Sequence, residues 1–162
     1  MVARLDQAGL VHFVIDQSVH HPDALEALVA GYERQWPDWY LGGKGSARDD
    51  LSARMREDGL PMGFVALLDG APVGAAALTA AGPVRPDLGP WVSGLWTAPA
   101  HRRQGVAGAL VRRCVQHAGE TGVATVYAAT ADADALFRSL GWRRLENVRY
   151  PGGALTVYAC AT

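Results

Sequence analysis

Trp91–Gly108, WVSGLWTAPAHRRQGVAG, sets the fold: an apolar β-prone run, a Pro99 turn, then a basic glycine-bearing entry into a helix. Such an order builds an anion site from backbone alone. The first amides of a helix lack partners inside it and carry partial positive charge, so a phosphate there gains hydrogen bonds and field together. Arg102 and Arg103 add mobile positive charge at that end. Gly105 and Ala107 keep side chains clear where a ligand must approach the main chain.

Downstream, Val106, Leu110, Val111, Cys114, Val115 and Ala118 share one face of a helix predicted over 104–118, ended by Gly119 and Gly122. Val123 to Ala129 reads as a strand. Asp132 is expected to cap a short helix carrying Leu136, Phe137 and Leu140 inward, and 142–148 and 154–159 form a last antiparallel pair around Pro151 and Gly152. Upstream, Met62–Leu68 and Val73–Leu78 flank Asp69-Gly70, a two-residue hairpin signal. The loop after it holds Gly82, Pro83, Pro86, Gly89 and Pro90, which exclude regular structure. Further back lie a strand at 10–15, an amphipathic helix through Leu25, Leu28, Val29, Tyr32 and Trp36, an aromatic knot (Trp36 to Tyr40) and a polar helix at 48–58. LGGKGS at 41–46 is a loop and not a phosphate-binding P-loop, because glycine follows Lys44 and no apolar strand precedes it. Hairpins mixed with crossover helices imply one mixed sheet covered on both faces.

Composition narrows the function. The 162 residues are 49% hydrophobic and 19% charged, which suits one domain over 1–162 with a substantial core. A net charge of −1 offers little attraction to nucleic acid or an anionic membrane, despite the basic cluster Arg102, Arg103, Arg112 and Arg113. Cys114 and Cys160 have no metal-ligand spacing and are too few for a disulfide framework, so the expected compartment is the cytoplasm and no metal is implied. The N-terminus MVARLDQAGL lacks the apolar segment of a secretion signal.

Over nearly its whole length the chain resembles the GNAT superfamily of Gcn5-related N-acetyltransferases. Their signature, Arg/Gln-x-x-Gly-x-Gly/Ala at the start of the central helix, is matched by Arg102, Gly105 and Ala107, and LFRSLGW at 136–142 resembles the later LYxxxGF element. The resemblance implies an α/β (α+β) fold: a mixed, mostly antiparallel sheet of about seven strands with splayed central strands, flanked by about four helices. It also implies that acetyl-CoA is the donor. Its pantetheine arm would lie along Leu95, Trp96 and Thr97, its diphosphate on the amides of Arg103, Gln104, Gly105, Val106, Ala107 and Gly108, with Thr130 and Phe137 beside it. Asp87 to Trp91 resembles the DLxPW lead-in of a subgroup that includes actin N-terminal acetyltransferases. The implied acceptor is an amine, either a small molecule or a peptide N-terminus, and the implied state a monomer or homodimer.

Two departures concern catalysis. Many members place Glu on the strand before the signature and Tyr in LYxxxGF, whereas 91–97 holds no carboxylate and position 137 is Phe. Tyr150 is then a candidate acid, His101 the histidine nearest the signature, and Asp38, Asp87, His20 and His21 carboxylates or imidazoles that loops can bring in. Trp36, Trp39 and Trp91 are candidates for an apolar acceptor pocket. With no evident base, a weakly basic amine is favoured: at pH 7 about one α-amine in seven is uncharged, against about one lysine in 2,500. A protein of this fold that only binds acyl-CoA, as a sensor or partner module, is the alternative.

Overall fold

The computed structural model describes residues 13–162. Leu10, Val11 and His12 of the expected first strand, and the N-terminal stretch read for a secretion signal, lie outside the described residues.

The described chain forms one seven-stranded sheet in the order β1-β2-β3-β4-β5-β7-β6. The strands are β1 (Val14–Gln17), β2 (Met62–Leu68), β3 (Ala71–Thr79), β4 (Trp91–Thr97), β5 (Thr125–Thr130), β6 (Arg143–Tyr150) and β7 (Gly153–Ala161). All neighbours run antiparallel except β4 and β5. The helices are α1 (Leu25–Gln35), the single turn α2 (Pro37–Tyr40), α3 (Ala47–Ala53), α4 (Val106–Glu120) and α5 (Asp134–Ser139). The aromatic knot therefore supplies one helix beyond the expected count, with Pro37 at its first position.

Alternation along β2 explains why its sequence is apolar throughout. Phe64, Ala66 and Leu68 enter the core beneath α4, with Leu110, Val111 and Cys114, while Val65 and Leu67 enter the opposite core with Leu28, Tyr32 and Leu51 from α1 and α3. A strand buried on both faces has no polar side to show. A third, smaller cluster holds Val84, Trp91, Leu155 and Val157.

Some boundaries differ from the periodicity. α3 stops at Ala53 because the Arg54 carbonyl accepts from Gly63 N at 2.8 Å and Arg56 N at 3.0 Å. α4 begins two residues later than expected, with Gly105 as its N-cap. Asp132 does not cap α5: Thr130 Oγ1 accepts from Asp132 N at 3.3 Å and Ala133 N at 2.8 Å, so the hydroxyl organises that entry.

Burial has a consequence at high pH. Desolvation pushes the Tyr32 phenol up to about 12 and the Cys114 thiol up to about 12. Both groups hold their protons in the folded chain where an unfolded chain loses them. Their contribution is complete below the unfolded values and is lost as pH rises towards the folded ones. The urea midpoint is therefore expected to fall between about pH 9 and 12, and less steeply in Cys114→Ala.

Candidate active site

β4 leaves β5 almost as soon as the two meet. Their ladder holds one pair, Trp91 with Tyr127, supported by Tyr127 N donating to Pro90 O at 3.0 Å. Beyond it the strands diverge around a cleft of about 350 Å³, lined by Val92, Ser93, Gly94 and Leu95 on one side and Ala129 and Thr130 on the other.

A bulge turns β4 at the same place. Ala75 pairs with Trp96 and Ala77 with Ser93, so Gly94 and Leu95 together face Ala76. Gly94 sits at φ +59, and a Cβ there would lie 2.6 Å from Arg54 Nη1 and 3.0 Å from Tyr32 Oη. Only glycine fits both the backbone angle and the space. The Tyr32 hydroxyl, buried in α1, donates to the Gly94 carbonyl. Since a trans peptide points its C=O and N–H in opposite directions, this bond also fixes the Leu95 amide, aimed away from Tyr32.

Past the bulge, Leu95, Trp96 and Thr97 form one wall of a groove of about 380 Å³ whose other walls include Arg102, Arg103 and Gly105 to Gly108 at the start of α4, with Ala133 and Leu136. Gly105 at φ +85 follows Arg103 at φ +60, and nothing lies within 4 Å of where a Gly105 Cβ would stand. A turn of this kind presents successive amides to an anion beside the first amides of a 15-residue helix. Arg102 is less mobile than the sequence suggests: it donates to Gln35 Oε1 at 2.7 Å and to Thr97 O at 3.3 Å, tying the end of α1 to β4. Gln104 is exposed beside the groove and Arg103 reaches it freely.

A third cavity, about 460 Å³, opens between Trp36, Trp39, Tyr40, Arg54, Pro83 and Gly94. The three spaces share residues in sequence. Leu95 and Ala133 line both groove and cleft, and Trp36 and Gly94 line both cleft and cavity.

The remaining sequence candidates divide. Trp36 and Trp39 reach the third cavity, but Trp91 does not: it is 1% exposed in the third core cluster, its Nε1 donating to Leu88 O at 2.8 Å. Thr130 and Phe137 line the cleft. Phe137 packs against Trp142 and stacks on Tyr158, whose hydroxyl donates to Asp134 Oδ1 at 2.6 Å. Tyr150 lies over the Gly152 turn, and His101 in the 3-10 turn before the groove; neither lines the three spaces. His20 and His21 are held by Asp16 at 3.3 and 2.8 Å, and Asp87 by Arg85 at 2.7 Å, which pulls its carboxyl below the usual range. Asp38 is exposed on α2. Ser93 hydrogen-bonds Thr79 Oγ1 at 2.7 Å. Among the described residues the one carboxylate lining the cleft is Asp132, whose place near a strand end had read as a cap. Arg54 and Tyr32 also escaped the sequence, since nothing local marks a helix residue that meets a strand tens of positions away.

A sheet whose central strands part beside the open first turn of a helix is an arrangement suited to a cofactor-dependent transferase. The chain belongs to the acetyltransferase (GNAT) family, whose profile matches residues 26–142. Among solved structures it is similar to an aminoglycoside 6′-N-acetyltransferase complexed with coenzyme A, at TM-score 0.74 and 14% identity over 91% of this chain and 96% of that one. The ribosomal-protein-S18-alanine N-acetyltransferase from Escherichia coli superposes at TM-score 0.66 and 18% identity over 93% and 94%. Aminoglycoside N-acetyltransferase AAC(6')-Iy in complex with CoA gives 0.69 and 20% over 86% and 93%. At these identities the likeness concerns the fold. No curated protein sequence matches the chain.

The Tyr32–Gly94 bond is open to test. Removing the hydroxyl in Tyr32→Phe frees the Gly94–Leu95 peptide while leaving the groove intact. Turnover is expected to fall about 10- to 100-fold, with binding of acetyl-CoA changed less than about threefold, as measured by initial rates and calorimetry. Burial holds the phenol near 12, so the effect is expected to be the same at pH 6 and pH 9.

Proposed function

We propose that the chain is an acetyl-CoA-dependent N-acetyltransferase, a single domain over 1–162, that passes the acetyl group directly to a bound amine. The carrying observation is the adjacency of groove, cleft and cavity, which share Leu95, Ala133, Trp36 and Gly94 as lining residues. The donor set suits coenzyme A: the amides from Arg103 to Gly108 and the Arg103 side chain for the diphosphate, and the backbone of Leu95 to Thr97 for the pantetheine arm. Bound acetyl-CoA supplies a thioester whose carbonyl carbon gains the N–C bond as the C–S bond breaks.

The protein's part is orientation and polarisation. Tyr32 fixes the Leu95 N–H as a donor towards the reacting carbonyl oxygen, in a site partly shielded from water by Trp36 and Phe137. Thr130 holds the α5 entry that closes the cleft, and its own proton remains available to the donor. The amine proton leaves through water, with Asp132 as the carboxylate on the cleft wall. Phe137 has no proton to give, so the departing sulfur takes one from solvent. Among the described residues no helix is long and apolar enough to cross a membrane. The chain would work in the cytoplasm as a monomer or homodimer, without nucleic acid or metal.

Thiol release from acetyl-CoA over an amine panel tests the reading. Turnover that rises with pH to the acceptor's own pKa supports it, as does an Asp132→Asn effect under about tenfold, because a true general base contributes about 10²–10⁴. In the donor groove, Ala107→Glu sets a carboxylate against the diphosphate and is expected to weaken acetyl-CoA binding at least about tenfold with little change in melting temperature. The absence of Glu on β4 and of Tyr at 137 favours a second reading, an acyl-CoA-binding module. Thermal stabilisation by acetyl-CoA without thiol release on any amine would establish that one instead.

A further inference from the structure

Within the acceptor cavity the charged group is a cation. Arg54 is half-buried just after α3 and lines the cavity with Trp36, Trp39, Tyr40, Pro83 and Gly94. No carboxylate among the described residues forms an ion pair with it. Its one side-chain hydrogen bond is long, 3.5 Å from Nη1 to Tyr32 Oη, and its guanidinium lies 5.9 Å from the centre of the Tyr32 ring. Asp50, one helical turn earlier, accepts from the Tyr40 hydroxyl at 2.9 Å instead. Several guanidinium N–H donors therefore face the cavity without a protein acceptor.

Placement ties this charge to the chemistry. Nη1 stands over Gly94, 2.6 Å from where a Cβ would be, and Gly94 belongs to both cavity and cleft. An anion held by Arg54 sits beside the bulge that aims the Leu95 amide. The three aromatic side chains offer flat apolar surface for the body of the same molecule.

We propose that the acceptor is a small amine that carries both an aromatic ring and a carboxylate, with Arg54 as the residue that binds the carboxylate. This rests on the acetyltransferase reading and specifies the substrate class of that site. A planar guanidinium takes a carboxylate in two parallel hydrogen bonds, and partial burial strengthens them. The same positive charge disfavours a protonated amine and so selects the neutral, nucleophilic form, which a site lacking a strong base requires. Polycationic acceptors such as aminoglycosides meet a like charge, and no carboxylate among the described residues that line the cavity. The similarity to aminoglycoside acetyltransferases then extends to the fold and stops at the acceptor.

Two matched pairs test this with the intact protein: 4-aminobenzoate against 4-aminobenzamide, and L-phenylalanine against L-phenylalaninamide. The carboxylate member of at least one pair is expected to have kcat/KM about 10- to 100-fold above its amide, the range of a charge-assisted pair. Preference in the first pair identifies arylamines, and in the second amino acids. Amides equal to or better than the acids in both pairs overturn the proposal. Arg54→Gln is expected to abolish the preference through KM while acetyl-CoA still raises the melting temperature; a preserved preference overturns it. Should no amine be acetylated, the acetyltransferase reading fails, and tryptophan fluorescence from Trp36 and Trp39 decides the anion site separately. With CoA present, saturable quenching by benzoate but not benzamide supports the site, and no difference between them rejects it.

Discussion

The bond from the Tyr32 hydroxyl to the Gly94 carbonyl holds the site together. It joins a helix on one face of the sheet to the single place where β4 bulges, and every other feature of the site follows from that bend. At Trp91, which pairs with Tyr127, β4 lies between β3 and β5. Downstream it belongs to β3 alone, and the space given up by β5 becomes the cleft. A sheet cannot open in its middle at no cost, because parted strands leave backbone groups to be satisfied. Here a buried phenol satisfies one of those groups, and the others face an open cleft where water or a ligand can pair with them.

Two electrostatic environments lie on either side of this bend. Towards α4 the positive charge comes from oriented amides with Arg103 beside them, diffuse and suited to a diphosphate. Towards α3 it comes from one guanidinium among aromatic rings, local and suited to a carboxylate. Both outer spaces favour anions, and the cleft between them, with Asp132 on its wall, is where an uncharged amine and a thioester would meet. The shortage of proton-transferring side chains is consistent with that arrangement, since a neutral amine needs placement more than it needs a base.

What was legible in the sequence was what local pattern encodes. β4 runs over Trp91–Thr97 as its apolar run indicates, the Asp69-Gly70 hairpin pairs Leu68 with Ala71, and α4 starts at the glycine of the signature. Most groove residues fall within 95–108, so they could be read together. The acceptor side could not, because it is assembled from α1, α2, the end of α3 and the loop before β4. Gly94 looked like an ordinary strand glycine, Arg54 like a solvated helix charge, and Tyr32 like one more core aromatic. Trp91 misled for the converse reason: an aromatic at a strand start looks available for a pocket, yet its indole turns into the small cluster under β7. Thr130 took the place expected of Asp132 at the α5 entry, its hydroxyl accepting from the amides of Asp132 and Ala133, and the aspartate lines the cleft.

A crystal structure of the chain with coenzyme A bound is the most direct measurement of the central claim, that the bend at Gly94 joins a donor groove to an acceptor cavity. The account predicts the diphosphate on the amides between Arg103 and Gly108, the arm paired with Leu95 to Thr97, and the sulfur beside Leu95 facing Trp36. A diphosphate held elsewhere, or a sulfur directed away from the cleft between Gly94 and Thr130, would contradict it.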